Sequence, residues 1–142
     1  MKTRELPIKL EGILFTRVDD EIKYLVLHRR PEEGNFWQPL TGTLNSDESI
    51  IDCLYREIEE ELGFGKTEVI GLTDEVYRFE WKRGDQTILE FVYGVELSFD
   101  QNITLSNEHD EYKWCSFDEA ISILGRDNNK KAFEAFQSKI SV

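Results

Sequence analysis

The chain has 142 residues, 39% of them apolar, with nine Phe, five Tyr and three Trp, which suits one globular domain (1–142) with its own core and argues against disorder. Its net charge of −12 argues against a nucleic-acid backbone or an anionic membrane as the main partner. Two cysteines in no metal-ligand pattern, Cys53 and Cys115, and the lack of any apolar run able to span a bilayer point to a cytoplasmic protein with reduced, buried thiols.

In chain order, KLEGILFTRV and IKYLVLHRR flank the turn VDDE and are expected to form an antiparallel strand pair. RRPEEGN is a turn-rich break, and FWQPLTGTL is one short strand-like stretch leading into a helix. VIGLTDEVYRFEWKRGDQTILEFVYGVEL supplies two longer aromatic and β-branched strands with RGDQ as their turn, and YKWCSF another strand. FDEAISILG is expected to be a short helix ended by Gly125, and DNNKKAFEAFQSKI a final amphipathic helix. This order predicts an α/β fold: a mixed parallel and antiparallel sheet with helices on its faces.

The helix in GTLNSDESIIDCLYREIEEELGF carries the chemistry. Asn45 and Glu48 have capping-box spacing, which predicts a start near Ser46 or Asp47, and Gly63 suits the left-handed end. At about 100° per residue, Ile51, Leu54, Ile58 and Leu62 share a core-facing side, while Glu57, Glu60 and Glu61 cluster beside that stripe and Glu59 faces solvent. Like charges at i and i+4 cost a few tenths of a kcal/mol each, and carboxylates oppose the dipole at a helix C-terminus. A solvated acidic face explains the cluster in one way; a hard divalent cation such as Mg²⁺, sharing substrate phosphates, explains it in another.

Gly42, Glu48, Arg56, Glu57, Ile58, Glu60, Glu61, Gly63 and Phe64 fill every position of a pattern that resembles the Nudix box, as in MutT-like hydrolases. The resemblance implies a Nudix α/β/α sandwich and a hydrolase of nucleoside diphosphate-linked compounds that requires Mg²⁺ or Mn²⁺. It implies metal ligation by Glu57, Glu60, Glu61 and the Gly42 carbonyl, with Arg56 orienting the carboxylates. Glu48 is read as a cap and anchor of the helix start. LHRRPEEGNFWQPLTG and NEHDEYKW further resemble dihydroneopterin triphosphate and nucleoside triphosphate pyrophosphohydrolases, which adds Glu108 to the metal ligands and to the candidate general bases. Arg29 and Arg30 are candidates to bind phosphates or to be strand-end charges, and Trp37 to line a base or pterin pocket or pack on the sheet. Gln38 is a candidate donor to substrate or to the sheet edge, and His109 is read as structural.

The expected reaction converts a nucleoside or pterin triphosphate to monophosphate and pyrophosphate. The alternatives are a diadenosine polyphosphate hydrolase, an ADP-ribose or other nucleoside diphosphate hydrolase, and a non-hydrolysing nucleotide sensor. Pro7, Pro31 and Pro39 all precede the box, where ADP-ribose pyrophosphatases of the family carry a later proline. The partner is a small polyphosphate, and a homodimer is left open.

Overall fold

The computed structural model describes residues 4–99 and 102–140. Its strands are β1 (Glu5–Val18), β2 (Glu21–Arg29), β3 (Trp37–Gln38), β4 (Leu40–Asn45), β5 (Val69–Arg83), β6 (Gln86–Leu97) and β7 (His109–Cys115). Its α-helices are α1 (Ile50–Leu62), α2 (Phe117–Ile123) and α3 (Asp127–Ile140). Short 3₁₀ turns at Pro31–Glu33 and Lys66–Glu68 complete the order.

The strands form one seven-stranded mixed sheet in which β1 is the organising element. It runs parallel to β6 from Ile8 to Phe15. On its other side it divides its hydrogen bonds, pairing with β4 up to Gly12 and with β2 from Leu14 onward. Pro39 explains the division. FWQPLTGTL, expected as one strand, breaks at this residue because proline has no N–H for the ladder; β3 pairs with β2 and β4 with β1. The β1–β2 turn uses left-handed backbone at Asp19 and Asp20, with φ of 51° and 66°, matching the twist of a tight hairpin. The expected RGDQ turn joins β5 to β6, with Arg83 opposite Gln86.

Alternation along β1 sends side chains to opposite faces of the sheet. Ile13 and Phe15 join Tyr24, Phe133 and Phe136 in the core beneath α2 and α3. Leu14 joins Leu25, Leu27, Ile58 and Leu62 in the core beneath α1. Helices on both faces make an α/β/α sandwich, as expected.

Three details of the sequence reading are corrected. First, α1 starts at Ile50 rather than near Ser46, because Ser46 N–H still donates to the Arg4 carbonyl and prolongs the β-ladder. Ser49 is the N-cap, its side chain accepting from Asp52 N–H. The Asn45–Glu48 contact exists, Asn45 N–H donating to Glu48 Oε1 at 3.0 Å, but it closes the turn ahead of the helix. Second, Ile51 is 46% exposed and Cys53 is buried instead. Glu57 and Glu61 lie inside the buried arc rather than beside it, at 8% and 6% exposure. Third, α2 does end just before Gly125, as expected, but without left-handed backbone there. Leu124 is the C-cap of α2, and Gly125 donates its N–H to the Trp37 carbonyl, where a Cβ would lie 2.8 Å from that of Phe36. Gly63 does end α1 in left-handed conformation, at φ 74°.

Candidate active site

The first and last turns of α1 do different work. Glu48, in the turn before the helix, accepts from Arg56 Nη2 at 2.7 Å and from its Nε at 3.0 Å, a two-pronged grip. Arg56 also donates to the Thr43 carbonyl at 2.9 Å, tying the helix to β4. Its Nη1 reaches Glu57 Oε1 at 2.7 Å and Glu60 at 3.3 Å. The bonds from Arg56 pull the Glu48 carboxyl down to about 2. Arg56 therefore orients carboxylates.

Glu57 packs directly on Gly42 of β4. A Cβ at position 42 would stand 2.2 Å from the Glu57 carboxyl carbon, so no side chain fits there. Burial is the main force on Glu57 and pushes its pKa up to about 7; Arg56 opposes the rise, while Glu60 and Glu61 add to it. Burial pushes Glu61 the same way, but the His109 ring and the Ser106 hydroxyl against its carboxylate outweigh it and leave its pKa lowered. Ser106 Oγ donates to Glu61 Oε2 at 2.7 Å. His109 Nδ1 lies 2.8 Å from the same oxygen, close but off the line of a straight hydrogen bond. On its other side, His109 Nε2 stands 2.9 Å from Gln38 Nε2; with Gln38 donating, the ring proton sits on Nδ1, facing Glu61.

Gly42, Glu57, Glu60, Glu61, Glu108 and Arg29 all line one polar cavity of about 360 Å³. Among the described residues, no three His, Cys, Asp or Glu side chains converge as a preformed metal cage. The reason is visible in the ion pairs: Arg56 occupies Glu57 and Glu60, His109 lies against Glu61, and Arg29 stands 3.8 Å from Glu108. The donor set still suits a hard divalent ion, being carboxylates plus a backbone carbonyl at a strand position no Cβ could share.

Lys9, Arg29 and Thr41 also line a second cavity of about 440 Å³, so the two open onto a common wall. Gln38 faces this second cavity, together with Phe36, Phe79, Trp81, Glu90 and Arg126. Trp37 and Arg30 line neither cavity. The Trp37 ring packs 5.0 Å from that of His28. Arg30 Nε donates to the Asn107 carbonyl at 2.8 Å and its N–H to that of Glu108, which holds the loop carrying Glu108.

The sequence reading passed over Lys9, Phe36, Arg126, Ser106 and the carboxyl pair Glu11–Glu90. A signal did exist for that pair. Glu11 is in phase with the buried Ile13 and Phe15, and Glu90 with the buried Ile88 and Val92, so each puts a carboxyl next to core positions of its strand.

Comparison with known proteins defines the class. The family model described as NUDIX domain matches residues 12–136, and the chain belongs to the Nudix family, whose enzymes hydrolyse phosphoric anhydride bonds. A dihydroneopterin triphosphate diphosphatase of Escherichia coli (strain K12) is 25% identical over 146 aligned residues, covering 95% of both chains. The Myxococcus xanthus protein named octanoyltransferase is 35% identical over 108 residues, 73% of this chain but only 29% of that protein. The crystal structure of a C. elegans Ap4A hydrolase binary complex superposes with a TM-score of 0.82 at 18% identity, covering 94% of this chain and 97% of that one. It shares the fold.

Proposed function

We propose that the protein is a Mg²⁺- or Mn²⁺-dependent pyrophosphohydrolase that cleaves a nucleoside or pterin triphosphate to the monophosphate and pyrophosphate, acting in the cytoplasm as a single domain. The carrying observation is the joined pair of cavities: a carboxylate-lined one over α1 meets an aromatic-lined one across Lys9, Arg29 and Thr41. A polyphosphate spans that wall with its phosphates over α1 and its ring in the aromatic cavity. The E. coli relative, matched over 95% of both chains, is named for a triphosphate substrate of this shape.

The Gly42 carbonyl, Glu57, Glu60, Glu61 and Glu108 would hold the ion. When bound, it neutralises phosphate charge and makes water more acidic. The chain's own residues do the remaining work. Lys9 and Arg29 donate to phosphate oxygens, which a protein of net charge −12 would otherwise repel. Arg56, anchored by Glu48, keeps Glu57 turned toward Gly42. Ser106 and His109 hold Glu61 against rotation. Water adds to a phosphorus of the anhydride, pyrophosphate leaves with the bond electrons, and a carboxylate of the set receives the proton.

The test is a panel of nucleoside triphosphates, dihydroneopterin triphosphate, diadenosine tetraphosphate and ADP-ribose, each incubated with Mg²⁺ and resolved by chromatography. Monophosphate from a triphosphate at the highest kcat/KM is expected. Faster cleavage of diadenosine tetraphosphate or ADP-ribose would overturn the substrate class, and tight binding with no turnover of any compound would make the protein a sensor.

A further inference from the structure

The cavity of about 440 Å³ carries a carboxyl group that the hydrolytic site does not use. Glu11 on β1 is fully buried, and Glu90 on the neighbouring β6 is 5% exposed and lines the cavity wall. Two ionised carboxylates in such a place would each cost several kcal/mol. Their partners show how the pair is tolerated. Asn129 Nδ2 donates to Glu11 Oε1 at 2.9 Å, and Trp81 Nε1 donates to Glu90 Oε1 at 2.9 Å. Glu11 Oε2 meets no donor among the described residues. A proton on that oxygen, shared with Glu90, turns the orphan acceptor into a donor. Burial, and then the charge of Glu90, raise the Glu11 pKa well above the carboxylate range and keep that proton in place. Glu11 thus serves as the donor of the pair and Glu90 as its acceptor, at the cavity wall.

An ionised carboxylate offers about four acceptor sites and no donor. Trp81 and the Glu11 proton take two, which leaves two for whatever enters. Three aromatic side chains, Phe36, Phe79 and Trp81, line the same space among the cations Lys9, Arg29, Arg83 and Arg126, and Arg126 lies 4.5 Å over the Phe36 ring. A flat ring presenting two adjacent N–H donors satisfies Glu90 as a guanidinium satisfies a carboxylate. The edge of a 2-amino-4-oxo heterocycle, a ring N–H beside an amino group, has this pattern. Adenine and cytosine put a ring-nitrogen lone pair beside their amino group, and hypoxanthine has no amino group, so each leaves the carboxylate facing an acceptor or half paired.

Resting on the reading of the adjoining site as a triphosphate hydrolase, we propose that this cavity holds the heterocycle of the substrate, and that Glu90, backed by Glu11 and Asn129, selects a 2-amino-4-oxo ring of the guanine or pterin class.

Affinities of the wild-type protein for GMP, IMP, AMP and CMP, measured by calorimetry in EDTA, test this without metal or turnover. GMP is expected to bind at least about tenfold more tightly than IMP or AMP, because a buried polar group left unpaired is costly. Equal affinities, or tighter AMP, overturn the proposal. In Glu90→Gln, with its fold checked by circular dichroism, the preference for GMP should shrink to less than about threefold, since an amide replaces an acceptor with a donor. A folded variant that keeps the full preference also overturns it, and if the variant does not fold the wild-type series decides alone. The two readings separate cleanly: pyrophosphate release from ATP and GTP alike, with no ring preference, refutes the selector and leaves the hydrolase, whereas guanine preference without turnover does the reverse.

Discussion

At the scale of single residues, the site depends on contacts with little slack. A Cβ on residue 42 would lie 2.2 Å from the Glu57 carboxyl carbon, so Gly42→Ala must displace that carboxylate. Displacements of about 1 Å cost on the order of 100-fold in rate, and steady-state kcat should fall by at least that much; unchanged kcat would show that Glu57 is not needed where it stands. Glu48 acts one step further back, through Arg56. Its carboxyl, held near 2 by the Arg56 bonds, stabilises the fold above the ordinary carboxylate range, and that contribution is lost as pH falls from about 4.5 toward 2. Glu48→Gln should therefore cost on the order of 1–3 kcal/mol at pH 7 and flatten the loss of stability between pH 4.5 and 2 in denaturant titrations. An unaltered acid profile would mean that Arg56 finds another anchor.

At the scale of elements, α1 was legible because its information is contiguous: the carboxylates, Arg56 and Gly63 all lie within one stretch of chain. Its start was misread since the β1–β4 ladder, unseen in a local pattern, holds Ser46 in extended backbone. The helical wheel also took the core to be centred on leucine and isoleucine, whereas the helix turns Cys53, Glu57 and Glu61 inward as well. Two substitutions express that correction. Ile51→Ser, at an exposed position, should change stability by no more than about 0.5 kcal/mol, while Leu54→Ala, in the core, should cost about 2–5 kcal/mol. Thermal or denaturant melts showing comparable losses for both would instead put Ile51 in the core beside Leu54. The strand pairs were readable from alternation. The split at Pro39 was not, because which partner each half takes depends on β1 and β2 lying side by side. The Glu11–Asn129 contact joins residues 118 apart in sequence, a separation beyond any spacing rule; only the out-of-place carboxyl in each strand marked it.

At the scale of the whole molecule, the charge of −12 is distributed so that its own donors cover the acidic site: the Arg56 and Arg29 guanidinium groups and the His109 ring each stand where an ion or a phosphate would be met. The raised pKa of Glu57, pushed to about 7 mainly by burial, has a defined sign. The folded state keeps a proton that the unfolded chain releases near 4.5, so the metal-free protein loses stability as pH rises between 4.5 and about 7. An ion must displace that proton, and its affinity grows with pH. Added Mg²⁺ should therefore raise Tm, and by more at pH 8 than at pH 6; a shift that is equal at both, or absent, would mean that the ion does not reach Glu57.

The most direct test of the hydrolytic assignment is a ³¹P NMR time course of GTP with the wild-type protein, run in Mg²⁺ and then in excess EDTA. With Mg²⁺, GMP and pyrophosphate should grow in equal amounts as GTP disappears, and with EDTA the spectrum should not change. Orthophosphate and GDP as the first products, or equal rates in EDTA, would contradict it.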